Sequence, residues 1–298
     1  MRIEIIHETE YTYASAVFLE PHYFRIKPRH TPYAELSSFS LQISPEPMGI
    51  SEQIDAENNT VHFSWYEGMH DKLSIKATSV LITKPYNPFN FLIAPPSYNQ
   101  IPFEYSLELK KLLQPYTEKI TIGEALIGYG NAITAGAKGN TLSFLIDLTQ
   151  QIHNDFKLEI RDIGEPYLPD ETFRLKIASC RDLAWMQIQL LRHYGMAARF
   201  VSGYFYVDVE KPTYDLHGWT EVFLPGAGWI GYDPSNGIRT SNMYFPICSS
   251  ASYQNTMPVS GSAVSYTHLT LPTRCHRCRS RGGADQCRGG GGGGGGGG

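Results

Sequence analysis

Cysteine is scarce in this chain: five among 298 residues, and three of them, Cys275, Cys278 and Cys287, lie beyond residue 263. Cys180 and Cys248 alone make no disulfide framework, which fits a reducing compartment, and a cytoplasmic protein is the expectation. Long apolar runs are missing as well. None reaches the roughly 18 residues of a membrane span, and the first residues lack the apolar core of a signal peptide, so no membrane segment is expected. There is no excess of positive charge: Lys and Arg number 25 against 29 Asp and Glu, a net −4. Nucleic acid and anionic membranes are recognised by cationic faces, so neither is expected as a partner.

The C-terminal stretch distorts even these figures. Ten consecutive glycines, Gly289 to Gly298, follow "VSYTHLTLPTRCHRCRSRGGADQCR". Val264 to Thr273 resembles a sequencing adaptor translated in frame, and glycines cannot bury enough apolar area to offset their chain entropy. The folded chain is therefore expected to stop near Ala263, with residues 264–298 making almost no contacts. Without them Lys and Arg fall from 25 to 20 and Asp and Glu from 29 to 28, so the net charge moves from −4 to −8. The "CHRC" at 275–278 has the look of a metal-ligand pair but belongs to that stretch. No metal or cofactor is expected.

About 263 residues suffice for two modest domains. Residues 1–84 carry short runs rich in Ile, Val, Tyr, Phe and Thr, such as "IEIIHETEYTY", "FSLQISP", "TVHFSWYEG" and "LSIKATSVLIT", and predict an antiparallel β domain. Residues 85–104 hold five prolines among aromatics, the composition of a stiff connector lying against a surface. Helical patterns follow within 105–262. "SLELKKLL" (106–113) is predicted to end before Pro115, and "NTLSFLIDLTQQIHNDF" (140–156) opens on Asn140, a good N-cap. The fold class is α+β.

The segment "SCRDLA" (179–184) opens a further helix, with Leu183, Ala184, Ile188, Leu191 and Tyr194 at helical spacing and Gly195 placed to end it. Ser179 and Asp182 form an S-x-x-D capping pair, which puts Cys180 at the first helical position. A free thiol titrates near pH 8.5, and the positive end of a helix lowers that value. A nucleophile also needs a base, and the base an orienting partner. "HGWTEVFLP" (217–225) and "GWIGYDPSNG" (228–237) offer His217 and Asp233. Taken singly, each has a plain structural reading: a satisfied strand histidine, and an aspartate starting a turn before proline. Parity links them. If the two segments pair as antiparallel strands, an unbulged four-residue loop over 225–228 sends the two side chains to opposite faces. A three-residue loop (224–226) or a five-residue loop (223–227) sets His217 directly across from Asp233, and a bulge corrects the four-residue case.

Together, "SCRDLAWMQIQLLRHYGMAARFVSGYF" and "HGWTEVFLPGAGWIGYDPSNG" resemble the core of bacterial transglutaminase-like proteins. "HETEYTY" (7–13), "FRIKPR" (24–29) and "NNTV" (58–61) resemble the β domain that precedes that core. The resemblance implies a papain-like or transglutaminase-like core, a Cys-bearing helix packed on an antiparallel sheet. It implies Cys180 as nucleophile, His217 as base and acid, and Asp233 as orienting carboxylate. Two departures stand out: Ala178 occupies a position that is usually glycine, and the chain lacks a further strand expected after 253–261.

Two function classes follow. The favoured one is thiol acyl transfer on a peptide or carboxamide bond of a protein or peptide substrate, through a thioester. Hydrolysis is favoured over transamidation, because water needs no dedicated site. The other is a non-catalytic binding or scaffold protein that keeps the fold. Trp219 and Trp229 read as core rather than as an acyl-donor groove. Glu165 and Asp170 read as a solvated loop, Cys248 as a small buried residue, and Asn236 as a turn residue. The Cys180 N–H is a candidate oxyanion donor.

Overall fold

The computed structural model describes residues 1–161, 164–207 and 215–265. Six strands fill the first 83 residues: β1 (Arg2–Leu19), β2 (His22–Phe24), β3 (Ala34–Ser44), β4 (Gly49–Ile54), β5 (Thr60–Trp65) and β6 (Met69–Thr83). Alternating burial along β1 turns Ile3, His7, Thr9 and Tyr11 inward, the period-two pattern of a half-buried strand. The turn before β5 is built by Asp55, whose Oδ1 accepts from the N–H groups of Glu57 and Asn59, while Asn58 takes φ +64°. Of "FRIKPR" only Phe24 lies in a strand; the segment beyond it is irregular.

Among the described residues five α-helices and the remaining strands follow: α1 (Leu107–Thr117), α2 (Glu124–Gly136), α3 (Thr141–Asp155), β7 (Lys157–Leu158), α4 (Pro169–Leu175), β8 (Ile177–Ala178), α5 (Cys180–His193), β9 (Ala198–Phe205), β10 (His217–Leu224), β11 (Gly228–Asp233), β12 (Ile238–Arg239), β13 (Tyr244–Ser250), β14 (Val259–Ser260) and β15 (Ala263–Val264). Asn140 caps α3 by accepting from the Ser143 N–H at 2.9 Å. Helix α1 does not stop before Pro115 but runs through it to Thr117. The carbonyl deprived of a partner there belongs to exposed Lys111, where water can substitute. The connector does more than lie on a surface: Ile93, Tyr98, Ile101 and Phe103 are part of the main core.

The central sheet is antiparallel, in the order β12-β11-β10-β9-β13. Helix α5 crosses one face of it almost wholly buried, with Thr220 Oγ1 donating to the Ala184 carbonyl and Val222 and Leu224 in the same core. Alternation sends His217, Trp219 and Glu221 to the other face. The N-terminal strands form two four-stranded sheets, β15-β1-β6-β3 and β14-β2-β5-β4. Each takes one edge strand from the far end of the chain. Val259 and Ser260 pair with Phe24 and Tyr23, and Ala263 and Val264 pair with Leu19 and Phe18. Residues 259–262, read as the end of the core, therefore complete the N-terminal domain, and Val264 is the last residue of a strand rather than the first of a detached tail. Edge N–H and C=O groups need partners, and two-residue strands leave no periodicity to announce them. The rest of the expected tail, from residue 266, lies outside the described residues.

Candidate active site

The site starts at the mouth of α5. Ser179 is the N-cap, and the buried Asp182 carboxylate accepts from the Ser179 N–H at 2.7 Å and from its hydroxyl at 2.6 Å. Its other oxygen takes Arg161 Nη2 at 2.6 Å and the Tyr167 N–H at 2.7 Å. A bare carboxylate one turn from a thiolate would oppose its formation, and Arg161 neutralises this one. The cap fixes where the helix begins, and so where Cys180 sits among N–H groups that have no intrahelical acceptor.

His217 opens β10, paired with Gly203 of β9, and Asp233 closes β11. The loop between the two strands is odd, with three residues over 225–227, because Leu224 faces Gly228 and the Ala227 N–H bonds the Leu224 carbonyl. Its placement is neither of the two expected. Extending the register puts Asp233 opposite Trp219, so His217 and Asp233 share a face diagonally rather than directly across. Gly226 and Gly228 both have positive φ, +84° and +75°, which lets the turn close with β11 starting at Gly228. The diagonal is short enough: His217 Nε2 lies 2.7 Å from Asp233 Oδ2.

Asp233 is fully buried and takes five further donors: the Ser235 N–H (2.9 Å) and hydroxyl (2.6 Å), the Asn236 N–H (3.3 Å) and Nδ2 (2.7 Å), and the Tyr244 hydroxyl (2.8 Å). Burial alone would raise its pKa. The His217 charge and these hydrogen bonds override that and hold it well below the usual carboxylate range. Burial likewise works against the His217 cation, but Asp233 and Cys180 outweigh it and raise the imidazole well above its ordinary value. Cys180 completes the chain. Burial would push its thiol up, yet the hydrogen bond to His217 and one from the Gly218 N–H pull it below its ordinary value. With Nε2 engaged by Asp233, Nδ1 is the ring nitrogen left for Cys180. Trp219 stacks against His217 at 6.2 Å between centroids. The arrangement can hold a thiolate and an imidazolium side by side, with the imidazolium oriented by a carboxylate that stays ionised.

Comparison with known proteins agrees with the fold. Residues 3–81 match the bacterial transglutaminase-like N-terminal region, and residues 127–234 match the transglutaminase-like superfamily. The two parts of the chain belong to those two families. A structure of a candidate cysteine protease from Cytophaga hutchinsonii superposes with a TM-score of 0.66 at 18% identity, covering 93% of this chain and 92% of that one. The uncharacterized protein Rv2569c of Mycobacterium tuberculosis is 25% identical over 278 residues, 87% of each chain. YebA of Bacillus subtilis is 30% identical over 85 residues, 25% of this chain and 12% of that protein.

Within this transglutaminase-like core the other singled-out residues have structural partners. Trp219 is core, 1% exposed. Trp229 is half-buried beneath the Arg199 guanidinium, 4.0 Å from its centroid. Asp170 caps α2 by accepting from the Gly123 N–H at 2.9 and 3.0 Å, and the Glu165 carboxylate takes the Tyr253 hydroxyl at 2.9 Å. Cys248 is buried, with its thiol on the Asn255 carbonyl at 3.4 Å. Asn236 is more than a turn residue, since its side chain holds Asp233. Sequence reading missed Tyr244 and Ser235 altogether. Ser235 was within reach of an Asx-turn argument, being two residues after Asp233; Tyr244 carried no local signal. Among the described residues no group of three or more His, Cys, Asp or Glu side chains could hold a metal.

Proposed function

We propose that this protein is a thiol acyl-transfer enzyme acting on a peptide or carboxamide bond, with Cys180, His217 and Asp233 as its catalytic groups and water as the favoured acceptor. The observation that carries the reading is the continuous chain Cys180–His217–Asp233: a thiol at a helix N-terminus bonded to an imidazole, itself 2.7 Å from a buried carboxylate.

The steps follow from charge and position. The Cys180 thiolate attacks the carbonyl carbon, and the oxyanion forms beside the α5 N-terminus, where the Cys180 N–H is a fitting donor. The His217 imidazolium gives its proton to the leaving nitrogen as the carbon–nitrogen bond breaks, leaving a thioester. Neutral His217 then takes a proton from water, whose oxygen attacks the thioester, and the thiolate is released. Asp233 stays ionised throughout and keeps the proton-bearing Nε2 directed at itself. An amine in place of water would complete a transamidation by the same steps. Hydrolysis is the proposal because the described core calls on nothing beyond water.

Alkylation tests it. Iodoacetamide at pH 6 should modify Cys180 rapidly and Cys248 hardly at all, with selectivity lost in His217→Ala. Equal slow labelling of both cysteines in the native protein would overturn the reading in favour of a non-catalytic scaffold. A peptide-amide library scored for both released ammonia and incorporated amine would then decide between water and amine as acceptor.

A further inference from the structure

Away from the triad, three parts of the chain meet around a cavity of about 230 Å³. The N-terminal domain contributes Arg29, the connector Phe91, and the central sheet Arg199, Glu221, Trp229 and Arg239. Glu221 and Arg199 face each other across β10 and β9, on the same face of the sheet as His217. Glu221 lies four residues along β10 from His217, about 13 Å at strand rise. Trp219, fully buried, stands between them, so the cavity is walled off from the reacting thiol.

Its charge is unbalanced. Arg199 reaches Glu221 Oε2 through Nε at 2.8 Å and Nη2 at 2.7 Å, which makes a neutral pair. Among the described residues the other two arginines have no carboxylate in an ion pair. Arg239 lies over the rings of Phe89 and Phe91, 4.9 and 4.8 Å from their centroids, and its buried Nε has no hydrogen-bond partner. Among the described residues no hydrogen bond or ion pair engages the Arg29 guanidinium; Glu221 attracts it and Arg199 repels it. Burial works against both cations. A guanidinium carries five donors in a fixed fork suited to carboxylate and phosphate oxygens, and a buried charge left without an acceptor is costly. A net charge of about +2 inside a chain whose total is −4 is not a general surface property but a local one.

We propose that this cavity binds a small, doubly charged oxyanion, with Arg29 and Arg239 as its two anchors. The volume sets the size. At about 30 Å³ per water-sized share, the cavity has room for roughly eight such units, less than the pockets that take drug-sized ligands. A phosphate ester or dicarboxylate of a few carbons fits; a nucleotide does not. The guanidiniums come from the N-terminal domain and from β12, so a bound dianion ties the β domain to the sheet that carries His217 and Asp233.

The test is calorimetric titration of the full chain at low ionic strength with inorganic pyrophosphate, succinate and acetate. Saturable one-to-one binding of pyrophosphate or succinate is expected, with acetate about tenfold weaker or more. A preference for pyrophosphate marks a phosphate ligand, and a preference for succinate a dicarboxylate. Arg29→Gln and Arg239→Gln should each weaken binding about tenfold or more. Glu221→Gln should strengthen it several-fold, because Arg199 is then released to the anion. Succinate at saturation should not protect Cys180 from iodoacetamide. Absence of saturable binding by both pyrophosphate and succinate overturns the proposal, and so does binding indifferent to Arg29→Gln and Arg239→Gln. Should Arg29→Gln fail to fold, Arg239→Gln and the sign of the Glu221→Gln effect still decide, since a purely structural cluster gives no gain on removing a carboxylate.

Discussion

Two cysteines in one molecule behave oppositely. Cys180 begins α5, with the Gly218 N–H and the His217 ring as partners, and its thiol is pulled below the ordinary value. Cys248 sits inside β13 with a backbone carbonyl as acceptor, and burial pushes its thiol up to about 12. Cys180 is half-buried and Cys248 fully buried; desolvation raises both thiols, so it does not explain why one ends below its ordinary value and the other above. A helix terminus, a donor N–H and an imidazole favour the anion at one place; an acceptor carbonyl favours the neutral thiol at the other.

Removing the imidazole should collapse that contrast most. In His217→Ala the Cys180 thiol loses its largest favourable partner while its burial remains, so its pKa should rise toward that of Cys248. Alkylation at pH 6 is expected to slow by about a hundredfold, the loss of most of a thiolate population. On a cleavable peptide amide kcat/KM should fall about 10³-fold, the usual worth of a positioned proton carrier. Mass spectrometry of labelled peptides and initial rates measure the two.

Asp233→Asn asks whether the carboxylate acts by charge or only by shape. The amide is isosteric, yet it cannot stabilise the imidazolium. The expected fall in kcat/KM is about 10²-fold, with a change in the pH profile. In the proposed mechanism the pair needs Cys180 ionised and His217 protonated, so activity is expected across the interval from the lowered thiol value to the raised imidazole value. Loss of the Asp233 charge lowers the upper limit, and the alkaline limb should move to lower pH. A limb that stays in place would show that Asp233 does not set the His217 titration.

Tyr244→Phe removes one of six donors to Asp233 and should lower kcat/KM by less than about tenfold. A hydrogen bond to a buried charge is worth about 1.5 to 3 kcal/mol, so denaturation should show a loss near the lower figure, the other five donors compensating in part. Tyr244 also accepts from the Tyr33 hydroxyl through its carbonyl at 2.9 Å, which links the N-terminal domain to the same carboxylate. A larger loss in rate than in stability would show that this link positions the site.

How much of this was legible in the sequence follows the range of each signal. The α5 start was local, because Ser179, Asp182 and Gly195 act within a turn of the helix. The need for an odd loop or a bulge was legible too, since it follows from strand alternation once His217 and Asp233 are required to share a face. Which three residues formed the loop was not, because both Gly226 and Gly228 can take positive φ and the sequence does not rank them. Helix α2 escaped notice because it carries Gly128, Gly130 and Gly136, which read as breakers. At Gly130 the reason is tertiary: a Cβ there would lie 2.6 Å from the Tyr194 hydroxyl. Tyr244 and the returning strands β14 and β15 are partners distant in sequence, and no periodicity marks them.

The smallest expected effect comes from the other half of the comparison. Cys248→Ala removes a sulfur atom that is 0% exposed and packed with Ile3, Leu81, Tyr204 and Phe245 between the N-terminal domain and the central sheet. The cavity left is about one atom in size, and a loss of about 1 kcal/mol is expected, read as a shift in the denaturant midpoint with unchanged slope. The rate of Cys180 alkylation and kcat/KM should not move, because Cys248 contributes packing and its neutral thiol takes no part in the charged pair. The reverse substitution completes the contrast: Cys180→Ala should abolish turnover and leave the midpoint close to that of the native protein. If Cys248→Ala lowers the rate as well, the packing layer under β13 is holding the triad in place, and the two cysteines belong to one functional unit rather than two.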